Sequence, residues 1–240
     1  MIRIGIIGYG GRMGQAIAAE VAASNDCILV GGADRVIQPH WEKREGLLLT
    51  TNVDDVIGVS DVLIDFTLAE SVPEHARRAA AHGTAYMSGV TGLAPASIEA
   101  LKQAARDIPL LYAPNTSLSL AATKQIVKLA AKLLGPFDYD VAILDEHHRM
   151  KKDAPSGTAL ALGEAVTAGN GGARQPSYAA IRAGFTVGEH EVSFFGEGEV
   201  IRIRHSVPDR RIFAKGALRA ALWLHGKPKG YYGMDDVLGI

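Results

Sequence analysis

Apolar positions along this chain fall into two regimes. In the first, short runs rich in β-branched residues alternate with stretches whose apolar residues recur every three or four positions. Ile2-Arg3-Ile4-Gly5-Ile6-Ile7, residues 27–33, Asp61-Val62-Leu63-Ile64-Asp65-Phe66, residues 84–87 and Leu110-Leu111-Tyr112 read as strands. Met13, Ile17 and Val21, then residues 71–81 and 95–106, read as the helices between them. Strict strand–helix alternation predicts a parallel sheet of βαβ units. The second regime opens with an Ala- and Leu-rich helix over 117–134 and a strand over 139–144. A helix follows from Ser156, with Ala159, Leu160, Leu162, Ala165 and Val166 as its apolar positions. β-type runs at 179–183, 191–195 and 200–205 then succeed one another with few helices between. They predict a mixed or antiparallel sheet with one open face. A last helix is predicted over 214–224.

The first strand ends in Gly8-Tyr9-Gly10-Gly11-Arg12-Met13-Gly14, and the second ends at Asp34, 20 residues after Gly14. Strand, glycine loop, helix, strand and terminal acid is the order of a dinucleotide-binding unit. The glycines let the backbone approach a pyrophosphate at the helix start, and the acid accepts from ribose hydroxyls. The spacing departs from strict G-x-G-x-x-G, because Met13 fills the third position and the glycines in step are Gly8, Gly11 and Gly14. Ligands of open α/β sheets bind beyond the carboxyl ends of the strands. The expected cofactor residues are therefore Gly8, Tyr9, Gly10, Gly11, Arg12, Met13, Asp34 and Arg35, with Thr67, Gly89, Val90, Thr91, Ala113, Pro114, Asn115 and Thr116. Asp34 favours NADH and repels a 2′-phosphate, whereas Arg35 can pair with that phosphate, so both NADH and NADPH are expected.

The densest chemistry lies in Glu146-His147-His148-Arg149-Met150-Lys151-Lys152-Asp153-Ala154-Pro155-Ser156-Gly157-Thr158. Ser156 is placed to cap a helix whose first-turn N–H groups and positive dipole end suit a carboxylate or phosphate. Histidine and lysine just upstream add protons and charge.

This segment is similar to the Glu-x-His-His-x-x-Lys-x-Asp-Ala-Pro-Ser-Gly-Thr-Ala signature of the dihydrodipicolinate reductase family. The resemblance extends through the G-x-G-G-R-M-G loop, Arg182-Ala183-Gly184, Val187-Gly188-Glu189-His190 and the C-terminal segment, and so spans Met1 to Ile240. The chain departs from the family at Val90, where a threonine is usual, at Thr116, where an aromatic is usual, and at Met150, often a histidine. It is also short between Thr167 and Ser177. The resemblance implies NAD(P)H-dependent reduction of a cyclic imine dicarboxylate in diaminopimelate and lysine biosynthesis. It assigns proton donation to His147 and Lys151, and substrate binding to His148, Lys151, Gly157 and Thr158. It also implies a homotetramer, and a C-terminal segment that returns to the nucleotide domain. The fold class is then α/β: a Rossmann-type parallel-sheet nucleotide domain (1–118 and 210–240) plus an α+β domain with a mixed/antiparallel open sheet (119–209).

Composition narrows the alternatives. A formal net charge of −1 argues against a general nucleic-acid binder, and Arg202, Arg204, Arg210 and Arg211 lack the interleaved aromatics of a single-strand groove. Cys27, the sole cysteine, sits in an apolar run and is expected buried, in keeping with a reducing cytoplasm. No run approaches the ~18 apolar residues of a membrane span, and the opening at Ile2 reads as a strand rather than a signal peptide. Three rivals remain open. A related dehydrogenase of another small amino or imino acid needs no His-His-x-x-Lys segment. A metal hydrolase would use Glu146, His147, His148 and Asp153, but adjacent histidines on an extended segment point to opposite sides, so no metal is expected. A non-catalytic NAD(P)H-sensing module would tolerate loss of the proton donors that this chain keeps.

Overall fold

The first strand, β1 (Ile2–Ile7), is buried from Ile4 onward on both faces, as a central parallel strand requires. The computed structural model describes residues 1–38, 41 and 46–240. After β1 come α1 (Arg12–Ala22), which turns Ile17 and Val21 inward, and β2 (Cys27–Ala33), which ends one residue before Asp34 and buries Cys27. β3 (Leu48–Thr50) and α2 (Val53–Val59) follow. Neither is legible as a periodic pattern, since three residues of strand and seven of helix are too short to establish one. β4 (Val62–Asp65), α3 (Val72–His82), β5 (Ala85–Ser88), α4 (Pro95–Ala104) and β6 (Pro109–Tyr112) complete the alternation.

A second compact unit, Ser117–Arg210, begins there. Ser117 caps α5 (Leu118–Leu134) by accepting from the Leu120 amide. β7 (Asp140–His147), α6 (Gly157–Gly169), β8 (Ser177–Arg182), β9 (Gly188–Gly196) and β10 (Glu199–Val207) follow. The sheet order is β10-β9-β7-β8; β7 and β8 run parallel and the other neighbours antiparallel, so the sheet is mixed. Val127 and Ala131 of α5 and Leu162 and Val166 of α6 pack on Val141, Ile143, Val192 and Phe194 of the sheet. Residues paired across strands share a face. Phe195 pairs with Val200, and Ile181 with Glu146, on the side turned away from that core. Ile181, Phe195 and Val200 are 46%, 39% and 40% exposed, so this face is open.

The chain then returns to the first unit, which comprises Met1–Thr116 and Arg211–Ile240. It adds α7 (Arg211–Leu224), β11 (Gly230–Tyr232) and α8 (Met234–Leu238). β11 pairs with β6, giving a seven-stranded sheet in the order β11-β6-β5-β4-β1-β2-β3, parallel throughout. A β-carbon on Gly216 would lie 1.9 Å from the Thr116 carbonyl oxygen, so only glycine lets α7 lie this close. Among the described residues, no helix is long and apolar enough to cross a membrane.

Candidate active site

Gly8 leaves β1 with φ at 83°, and a β-carbon on Gly14 would sit 2.3 Å from the Gly8 carbonyl oxygen. Glycine at both positions lets the loop fold tightly against the start of α1. Gly11 is the N-cap and brings no side chain to the first turn, so the helix start is left to a ligand. Asp34 is held by two amides: Gly10 N–H donates to Oδ2 at 2.8 Å, and Arg35 N–H donates to Oδ1 at 2.7 Å. The Arg35 side chain is exposed beside it.

Two adjoining cavities run along the carboxyl ends of these strands. One, of about 280 Å³, is lined by Gly8, Gly11, Asp34, Arg35, Thr67 and His75 among others. The other, of about 490 Å³, is lined by Met13, Thr67, Gly89, Val90, Thr91, Pro114, Asn115, Thr116 and Phe213 among others. Their shared wall is Phe66, Thr67 and Leu68. Four of the expected residues line neither cavity: Tyr9, Gly10, Arg12 and Ala113. The Tyr9 ring turns away to stand edge-on to Trp41, 5.0 Å between centroids. Ala113 is buried, with its amide on the Ser88 carbonyl at 3.0 Å.

Phe213 and His75 line the crevice without having been expected there, because both sit on helices whose placement only the topology decides. Thr116, where the family usually has an aromatic, donates from Oγ1 to the Phe213 carbonyl at 2.7 Å, and Phe213 supplies an aromatic from α7. His75 Nδ1 lies 2.7 Å from Oδ2 of the fully buried Asp65. That carboxylate also accepts from the Thr67 amide at 2.8 Å, the Thr67 hydroxyl at 2.6 Å and the Tyr86 hydroxyl at 2.5 Å, which fixes Thr67 at the crevice wall.

In the second unit, strand alternation turns Val141, Ile143, Asp145 and His147 to the buried side of β7. Register sets Asp145 opposite His190, His190 opposite His205, and His147 opposite Arg182. A row of buried polar side chains results, at the end of the sheet beside the start of α6. Asp145 is its centre and is fully buried. Its Oδ2 accepts from the Ser156 amide at 2.7 Å and from Arg182 Nη2 at 2.8 Å; its Oδ1 accepts from the Ser156 hydroxyl at 2.9 Å. Oδ1 also lies 2.8 Å from His147 Nδ1 and 3.3 Å from His190 Nε2. Burial acts to raise the Asp145 pKa, but the Arg182 guanidinium and the Ser156 donors outweigh it and hold the carboxyl below the usual range. Burial also pulls the His147 pKa down; Asp145 opposes this, and Lys151 and Arg182 reinforce it. The His147 ring is therefore uncharged near neutral pH. His190, desolvated and beside His147, is lowered to about 4.

The loop after β7 carries the remaining groups. His148, half-buried, lies on the other side of the chain from His147, and its amide donates to the Thr186 carbonyl at 2.8 Å. Lys151 Nζ pairs with Asp153 Oδ2 at 2.8 Å. Ser156 caps α6 by accepting from the Ala159 amide at 3.2 Å, Gly157 next to it is exposed with open space around it, and Thr158 is half-buried. Asp145, Arg182 and His190 were given no role from the sequence, although Arg182 and His190 lie in segments that match the family; the strand alternation and pairing gather them.

The four residues of the hydrolase reading do not form a ligand set. Among the described residues, the group with ligand-like spacing is Asp145, His147 and His190, with atoms within 4.8 Å of one another. Its carboxylate already accepts three hydrogen bonds, one from a guanidinium that would repel a cation. Its contacts are those of an ion-pair cluster.

A family model described as the N-terminus of dihydrodipicolinate reductase matches residues 2–116, and one for its C-terminus matches residues 120–238. The chain belongs to the dihydrodipicolinate reductase family. The 4-hydroxy-tetrahydrodipicolinate reductase of Granulibacter bethesdensis is 39% identical, the alignment covering 100% of this chain and 97% of that protein. The enzyme of the same name from Zymomonas mobilis is 40% identical, covering 100% and 98%. A dipicolinate-bound dihydrodipicolinate reductase from Paenisporosarcina sp. TG-14 shares the fold, with a TM-score of 0.84 at 22% identity, covering 98% of this chain and 99% of that one. In this member of the dihydrodipicolinate reductase family, both halves of the chain are thus accounted for by one family.

Proposed function

We propose that this chain reduces 4-hydroxy-tetrahydrodipicolinate to tetrahydrodipicolinate, the 4-hydroxyl leaving as water as hydride and a proton are added, in the cytoplasm, as a step of diaminopimelate and lysine biosynthesis. The observation that carries this reading is the segment from Asp145 to Thr158. It sets an ammonium and a carboxylate-bound imidazole beside a capped helix start, in a chain whose other unit presents a dinucleotide crevice.

A reduced nicotinamide, from NADPH or NADH, supplies the hydride when bound. The start of α1 takes the pyrophosphate, Asp34 and Arg35 read the adenine ribose, and the larger cavity, walled by Thr67, Gly89, Val90, Thr91, Asn115 and Thr116, takes the nicotinamide end. The dicarboxylate substrate is held by Gly157 and Thr158 at the start of α6, with His148 and Lys151 adding donors. Reduction by hydride leaves one substrate atom basic, and Lys151 Nζ donates the proton it needs. His147 shares this role only in the fraction of molecules where its ring is protonated; with Nδ1 beside Asp145, Nε2 is the atom left to the substrate. The open face of the second unit's sheet makes a closed oligomer, a homotetramer.

Lys151→Ala tests the assignment. The expected loss in kcat is ~10²-fold or more, typical of a missing general acid, with dinucleotide affinity unchanged. A variant that turns over like the parent would remove Lys151 from the chemistry.

A further inference from the structure

We propose that Asp145 is a positioning residue: one carboxylate sets the tautomer of His147 and locks the loop and helix start that bear Lys151, Gly157 and Thr158. This rests on the reading of His147 and Lys151 as the proton-bearing pair.

The carboxylate cannot turn freely. Oδ2 is fixed by the Ser156 amide and Arg182 Nη2, and Oδ1, which accepts from the Ser156 hydroxyl at 2.9 Å, is thereby held 2.8 Å from His147 Nδ1. A hydrogen on Nδ1 is favoured beside an anionic oxygen, and it leaves the lone pair on Nε2, the ring atom next to Gly188. His147 Nδ1 is buried; among the described residues no group meets it with full hydrogen-bond geometry, and Asp145 Oδ1, at 2.8 Å, is the acceptor beside it. The charged and titratable neighbours of this ring are Asp145 on its own strand, Lys151 in the next loop, Arg182 on β8 and His190 on β9; α6 contributes the uncharged Ser156. Of these, Asp145 alone favours a proton on the ring.

The same carboxylate reaches the substrate-holding groups. Ser156, which gives Asp145 both its amide and its hydroxyl, is the N-cap of α6, directly before Gly157. Arg182, besides its bond to Oδ2, donates to the Asp145 carbonyl at 2.9 Å and to the Asp153 carbonyl at 2.7 Å. Asp153 in turn pairs with Lys151.

The test is the tautomer and titration of the His147 imidazole by long-range ¹H–¹⁵N NMR in the parent, Asp145→Asn and Asp145→Glu, alongside kcat. The parent should show the Nδ1–H tautomer. Asp145→Asn should lower the His147 pKa and cut kcat by ~10–10⁴-fold, the span between removing a carboxylate behind a metal-bound histidine and one behind a catalytic histidine. Asp145→Glu should restore a titration close to the parent's and at least part of the rate. An Nε2–H tautomer in the parent overturns the proposal, as does an Asn variant with parental titration and kcat. Should the Asn variant not fold, the parent tautomer and the Glu variant decide alone. A parent with no reductase activity would count against the proposed reaction, while the NMR result would still decide the role of Asp145.

Discussion

The Gly10 amide donates to Asp34 Oδ2 at 2.8 Å, tying the acid that ends β2 to the glycine loop that starts α1. Asp34 can then accept from ribose hydroxyls only with the lone pairs left over, while the exposed Arg35 offers a forked partner for a 2′-phosphate. Both nicotinamides should therefore be used, with kcat/KM values within about two orders of magnitude, because the opposing effects are each of ~1–3 kcal/mol. Arg35→Ala should lower kcat/KM for NADPH selectively. Asp34→Ala should lower it most for NADH, with a smaller loss for both as the loop loosens. Strict use of one cofactor, unmoved by either change, would show that another residue reads the ribose.

His190 should make the protein lose stability in acid. Its ring stays neutral in the fold down to about pH 4, whereas in the unfolded chain it takes up a proton near 6.5. Between those values the unfolded state binds more protons, so stability falls as pH falls from ~6.5 to ~4 and then levels off for this group. The contribution is on the order of 3 kcal/mol, and His147 and His205, both also lowered by burial, act in the same direction. Urea midpoints measured across this range should slope less for His190→Asn than for the parent. Parallel slopes would place the acid sensitivity elsewhere.

The open face of the second unit's sheet should be the assembly surface. Phe195 lies opposite Val200 there, both well exposed, so a charge at Phe195 leaves the unit's own core intact while spoiling a packed interface. Phe195→Asp should sediment as a smaller species than the parent with an unchanged far-UV spectrum. A parent that is monomeric at micromolar concentration would refute the oligomer.

Long periodic elements and dense motifs were legible in the sequence, and short or tertiary features were not. The βαβ alternation, the glycine loop, Asp34 and the Ser156 cap all follow from local spacing. β3, α2 and β11 span three, seven and three residues and carry no readable period. The mixed sheet was foreseeable, but the gathering of Asp145, Arg182 and His190 depends on which strands pair and in what register, which local patterning does not encode. Phe213 reaches the crevice through the return of α7, far from any glycine motif. Tyr9 sits within the motif yet turns its ring to Trp41, because only the loop backbone is constrained there.

The proposed reaction is tested most directly by giving the purified parent protein freshly generated 4-hydroxy-tetrahydrodipicolinate with NADPH or NADH and following oxidation of the dinucleotide. Saturable, substrate-dependent oxidation with at least one cofactor, yielding tetrahydrodipicolinate, is the predicted result. No oxidation above the substrate-free rate with either cofactor, in protein that binds the dinucleotide, would contradict it.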